Sequence, residues 1–124
     1  MFEIFPVKGE ELYTLFEGQA LPRGASPHAQ RLVSEGKPAG VCLFYLLDGA
    51  AVLTKLEYPK EDKPLADALV RASLRFAEDR GARTADFGAV ARDEALREFG
   101  ILEKCRDYRC EIARLFKDCE SCGK

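Results

Sequence analysis

The run Gly40-Val41-Cys42-Leu43-Phe44-Tyr45-Leu46-Leu47 constrains this chain more than any other segment. It is apolar on both faces, so as a strand it must be covered on each side, which makes it central to its sheet. Asp48-Gly49 follows, a dipeptide that turns a two-residue hairpin because both positions tolerate positive φ. Ala51 to Tyr58 then returns as an antiparallel partner, and His28 to Ser34, joined through the turn Glu35 to Pro38, supplies a third strand.

A sheet buried on both faces needs helices to cover it. Gly9 to Glu17 carries Leu12, Leu15 and Phe16 at helical spacing, with Glu10 and Glu11 near its positive end. Beyond Pro59 and the charged segment Lys60-Glu61-Asp62-Lys63, Leu65, Leu69, Ala72 and Phe76 mark a long helix over Pro64 to Arg80. Pro64 suits its first turn and Gly81 the position past its end. Around this centre, Phe2 to Phe5 reads as a first strand stopped by Pro6, and Gly18 to Pro27 as a surface loop. Arg83 to Val90 reads as a strand and Arg92 to Phe99 as a short helix closed by Gly100. Ile101 to Cys105 and Tyr108 to Phe116 complete the pattern as two strands around Arg106-Asp107. The fold class is therefore α+β, expected as one domain over residues 1–116 with a cysteine-containing tail at 117–124.

Charge and hydropathy narrow the function. Charged residues are 32% of the chain yet nearly cancel to a net −2, so nothing attracts a polyanion and nucleic acid is not an expected partner. The N-terminus has no signal-peptide pattern, and the longest apolar run, Ala39 to Leu47, falls well short of the roughly 20 residues a membrane helix needs. No membrane association is expected. Five cysteines, an odd number without an export signal, fit a reducing cytoplasm better than a disulfide framework.

In order of elements and in local sequence, the chain resembles the GNAT-type N-acetyltransferase superfamily, a mixed, mostly antiparallel sheet flanked by helices. Leu56-Glu57-Tyr58-Pro59, the charged loop and the segment from Ala68 to Ala82 resemble the fourth strand and third helix of those enzymes; Asp93 to Ile101 resembles a shortened last helix and the strand after it. The resemblance implies acetyl-CoA as cofactor and a small-molecule or peptide amine as acceptor. Its acyl arm would add to an opening walled by Leu56 to Tyr58 and Phe87 to Val90. The implied cofactor-binding residues are Leu56, Tyr58, Lys60, Lys63, Leu65, Ala66 and Asp67. The family's diphosphate loop runs Gln or Arg, two residues, Gly, one residue, Gly or Ala, because backbone N–H groups must approach the phosphates. With Ala68-Leu69 fixing the register, Glu61 and Pro64 stand at the first two of these positions and only Ala66 conforms. Proline has no N–H, and the acids Glu61 and Asp62 repel phosphate. Lys60 and Lys63 would have to compensate as point charges, or else cap the helix in solvent.

Acyl transfer to an amine needs a base for the ammonium proton and an acid for the thiolate. By the same resemblance Glu57 stands where relatives carry a catalytic carboxylate, and Tyr108 or Tyr58 would replace a general-acid tyrosine whose aligned position is near Leu96. The alternatives are an exposed strand-end glutamate and tyrosines that pack in the sheet. His28, the only histidine, reads as a solvated side chain, and Cys42 as an inert core thiol. Cys119 and Cys122 have the spacing of a metal or redox pair that Cys105 and Cys110 would complete, but free thiols in a tail are the preferred reading and no metal site is assigned. Three readings stay open: an N-acyltransferase, a non-catalytic GNAT-like binding or assembly module that has lost CoA, and a small thiol-metal protein using its terminal cysteines. A homodimer covering an exposed sheet edge is a further expectation.

Overall fold

The computed structural model describes residues 1–116. Six strands form one sheet in sequence order: β1 (Phe2–Pro6), β2 (Ser26–Ser34), β3 (Lys37–Leu47), β4 (Ala50–Glu57), β5 (Thr84–Asp86) and β6 (Arg109–Glu111). Every neighbouring pair is antiparallel except β4 and β5, which the crossover helix α2 (Lys63–Asp79) makes parallel. Helix α1 (Glu10–Leu15) joins β1 to β2, and α3 (Glu94–Glu98) follows β5.

β3 is central, as its two apolar faces require. On one face Leu32, Cys42, Phe44 and Leu53 pack beneath Leu65, Leu69, Val70 and Leu74 of α2. On the other, Val41 and Leu43 join Val7, Phe16 and Ala29 under α1. Cys42 is fully buried, and that burial pushes its thiol up to about 12, so it acts as a small apolar filler.

Turn chemistry sets the register. Asp48 and Gly49 both take positive φ, 51° and 79°, in the two-residue loop between Leu47 and Ala50. Glu35 and Gly36 do the same between Ser34 and Lys37, so β3 begins three residues before Gly40. At the end of α2, Gly81 at φ 95° donates to Glu78 C=O at 3.0 Å while Ala82 N–H reaches Ala77 C=O at 3.0 Å, a Schellman stop.

The region after Asp86 departs from the sequence reading. β5 does not extend from Arg83 to Val90: Asp86 Oδ1 accepts Gly88 N–H at 2.8 Å, and this Asx turn diverts the chain into a 3₁₀ turn at Gly88–Val90. Nor do Ile101 to Cys105 form a strand. Gly100 and Ile101 donate to Arg97 and Leu96 carbonyls at 3.2 and 3.1 Å, a second Schellman stop that folds Ile101 into the core, and a 3₁₀ turn at Leu102–Lys104 follows. Tyr108 to Phe116 is likewise not one strand. Asp107 and Tyr108 form the turn, only Arg109–Glu111 pair with β5, and residues 112–116 are helical, burying Ile112 and Leu115. Cys119 and Cys122 lie outside the described residues.

His28 is not a solvated side chain either. Its ring lies 5.8 Å from Phe44 and 5.0 Å from Phe76, and Nε2 meets Ser26 Oγ at 3.0 Å. Burial, then the Arg80 charge, lowers its pKa below the ordinary 6.5. The unfolded chain therefore takes up a proton that the folded chain resists. The resulting stability is complete above pH 6.5 and is lost as the pH falls from there through the lower folded value. Urea unfolding at a series of pH values is expected to show this loss, and His28→Phe to flatten it; an unchanged profile would refute the assignment.

Candidate functional site: the opening between β4 and β5

Two local features separate β4 from β5. The parallel ladder runs only from Ala50↔Thr84 to Val52↔Asp86, because the Asx turn ends β5 there. One residue later β4 bulges: Leu43 pairs with Lys55 and Phe44 with Leu53, leaving Thr54 extra, and Thr54 Oγ1 donates to Leu43 C=O at 3.4 Å. The 3₁₀ turn Gly88–Val90 lies beside β4 but cannot continue a strand ladder. Among the described residues, β4 beyond Val52 therefore has no strand partner on this side.

The result is a cleft of about 440 Å³. One wall is Thr54, Lys55 and Leu56, the other Gly88 through Asp93, with Lys60 at the rim. Exposed backbone groups on an open strand edge accept an extended ligand as an added strand, and such recognition depends on the main chain more than on side chains.

Of the residues expected to bind cofactor, Leu56 and Lys60 line this cleft. Tyr58 stands behind it: its ring carries the Lys60 ammonium at 4.8 Å, and its hydroxyl donates to Asp93 Oδ1 at 3.0 Å. Burial and then this bond to Asp93 raise the Tyr58 pKa, so the phenol keeps its proton. Asp93 Oδ1 also caps α3, accepting from Ala95 N–H at 2.9 Å and Leu96 N–H at 3.3 Å. One carboxylate thus ties the end of β4 to the start of α3. Tyr58→Phe is expected to cost about 1.5–3 kcal/mol, as hydrogen bonds to charged groups do. A urea midpoint equal to that of the unmodified chain would contradict this.

The residues expected to hold a diphosphate are otherwise engaged. Lys63 Nζ is held by Glu98 at 3.0 Å and Glu94 at 3.4 Å, and the bond to Glu98 chiefly raises its pKa. It braces α2 against α3 instead of facing the cleft mouth. Leu65 and Ala66 are core side chains, Leu65 N–H turns back to Asp62 C=O at 3.1 Å, and Pro64 offers no N–H. Asp67 is occupied by Arg71 at 3.0 and 3.1 Å.

Glu57 and Tyr108 do not line the cleft. Glu57 points to the α1 side, in a depression of about 400 Å³ shared with Leu15, Arg31, Gly40 and Pro59. Its carboxylate is exposed and paired at 3.2 Å with Lys55, which does line the cleft. Tyr108 sits at a turn tip with φ 66°, half-exposed, and its carbonyl accepts Phe87 N–H at 2.8 Å. Sequence reasoning missed Thr54, Lys55 and Asp93. Asp93 was legible as an N-cap before Glu94-Ala95-Leu96; the bulge at Thr54 leaves no signature in composition.

No family model matches the sequence, and no curated protein is similar to it. Solved structures do resemble the fold. The ribosomal-protein-S18-alanine N-acetyltransferase from Escherichia coli superposes with a TM-score of 0.56 at 18% identity, over 81% of this chain and 77% of its own. A probable acetyltransferase from Staphylococcus epidermidis gives 0.56 at 10% identity, over 81% and 83%. The IAA acetyltransferase from Bacillus cereus gives 0.54 at 12%, over 81% and 76%. The chain thus has the GNAT-type N-acetyltransferase fold, and at these identities the likeness defines architecture alone.

Proposed function

We propose that this chain is an N-acyltransferase that moves an acetyl group from acetyl-CoA to an amine, on a small molecule or a peptide, in the cytoplasm. The observation that carries this reading is the open β4 edge beyond Val52, faced by a cleft of about 440 Å³. An extended acyl-pantetheine arm matches it, since amide groups in the arm complement the strand edge. Leu56 and the wall from Gly88 to Asp93 would flank the arm, and Lys60 would meet phosphate at the rim. When bound, the cofactor supplies an acyl group activated as a thioester. Glu57 would take the proton from an ammonium entering by the depression on the α1 side, where it lies paired with Lys55 at 3.2 Å. Tyr58, protonated and held by Asp93 behind the cleft, would supply the proton for the leaving thiolate.

A second reading, a binding module without catalysis, draws support from Lys63 being committed to Glu94 and Glu98 and from Pro64 in the loop. Calorimetric titration with acetyl-CoA separates the two. Heat of binding and a thermal upshift are expected, and silence at millimolar ligand would leave only the module. With a cofactor bound, Glu57→Gln is expected to lower kcat about a hundredfold while the Kd for CoA stays unchanged. A weakened Kd instead would remove Glu57 from the role of base.

A further inference from the structure

Cys105 and Cys110 lie outside the cleft, on the hairpin that carries β6. Asp107 and Tyr108 both have positive φ, 51° and 66°, as the central residues of a type I′ turn do. Arg106 and Arg109 close the turn by exchanging N–H to C=O bonds of 2.8 and 3.0 Å. In an antiparallel ladder the next pair outward from such a pair is non-hydrogen-bonded, with Cα atoms about 4.5 Å apart and side chains close together. That next pair is Cys105 opposite Cys110, and Cys105 has extended backbone at φ −98°, ψ 156°. A Cα separation of about 4.5 Å lies inside the range a disulfide spans. Both residues are free thiols, and Cys105 Sγ donates to Ile101 C=O at 3.3 Å.

We propose that Cys105 and Cys110 form a dithiol–disulfide exchange site whose oxidant is a low-molecular-weight disulfide of the glutathione type. Cys105 is partly exposed, and Cys110 lines a pocket of about 360 Å³ together with Thr84, Arg106 and Arg114. Cys105, the less buried thiol, loses its proton and attacks one sulfur of the incoming disulfide. That S–S bond breaks, one small thiol leaves, and a mixed disulfide remains on Cys105. Cys110 in turn gives up its proton and attacks Cys105 Sγ, expelling the second small thiol. Two protein thiols are oxidised and one disulfide is reduced to two thiols. Burial raises the Cys105 pKa and pushes Cys110 up to about 12, so exchange is slow at neutral pH and quickens as the pH rises.

The test uses the full reduced chain, incubated with oxidised glutathione at mildly alkaline pH, quenched in acid, alkylated and mapped by peptide mass spectrometry. The expected product has Cys105 joined to Cys110, with loss of alkylation at both. Cys110→Ser should convert it to a stable glutathione adduct on Cys105, and Cys105→Ser should abolish the linked product. Circular dichroism checks that each variant is folded. Should either fail to fold, Cys119→Ser/Cys122→Ser serves, because the linked product must survive in it. Oxidation confined to Cys119 and Cys122, a glutathione adduct accumulating on Cys105 of the unmodified chain, or both thiols remaining alkylatable would each overturn the proposal.

Discussion

Gly40→Val is expected to destabilise the fold by about 3 kcal/mol, toward the upper end of overpacking costs. Gly40 lies in β3 opposite Leu32, in a backbone conformation any residue adopts, so the requirement is for space. A Cβ there would overlap Glu57 O and come within 3.1 Å of Tyr58 Cα. Both are main-chain atoms, which cannot turn aside as a side chain would. The end of β4 would have to lift from β3, and that end carries Tyr58 and leads into the loop before α2. Urea denaturation measures the loss; Gly40→Ala should follow in the same direction with a smaller effect. A Gly40→Val chain within about 0.5 kcal/mol of the original, the scatter of ordinary surface changes, would mean β4 is not seated as described.

Phe44→Ala is expected to cost about 3–5 kcal/mol, the range for removing a buried aromatic ring. Phe44 is fully buried on the α2 face, edge-on to Phe76 at 5.9 Å and stacked on His28 at 5.8 Å. For a domain whose whole stability is about 5–15 kcal/mol, this threatens folding itself. Phe44→Leu should cost less than half as much because the cavity is largely refilled. The same ring shields His28, so Phe44→Leu should also bring the His28 pKa back toward 6.5 and shrink the acid-induced loss of stability. An undiminished pH dependence in that variant would separate His28 from Phe44.

Much of this architecture was written in local residues. The two apolar faces of Gly40 to Leu47 demanded a covered central strand, Asp48-Gly49 demanded a tight hairpin, and the spacing of Leu65, Leu69 and Phe76 with Gly81 beyond demanded a helix of nearly the observed length. Between Asp86 and Phe116 the short helix closed by Gly100 was legible, but the strands were misread for a physical reason. The apolar residues there, such as Ile101 and Ile112, enter the core from short turns and caps, where neither a two-residue nor a 3.6-residue period has room to develop. The turn at Asp107-Tyr108 lacks glycine, and so left nothing to mark its two positive φ angles.

The candidate site divides the same way. Residue types alone exposed the departure from a diphosphate-binding pattern, because Pro64 cannot donate an N–H and Glu61 and Asp62 oppose an anion in any conformation. They did not reveal that Lys63 is bound to Glu94 and Glu98, or that Tyr58 is tied to Asp93, since those partners are about 30 residues away along the chain. Nor did they reveal that Glu57 faces the α1 side while Lys55 reaches the cleft. By itself the sequence determined which segments must be buried and where the chain must turn, because burial and turning are properties of a few neighbouring side chains. Only the tertiary structure decided that β4 and β5 part company beyond Val52 and Asp86, because that parting results from a bulge and an Asx turn acting on two strands joined through a helix.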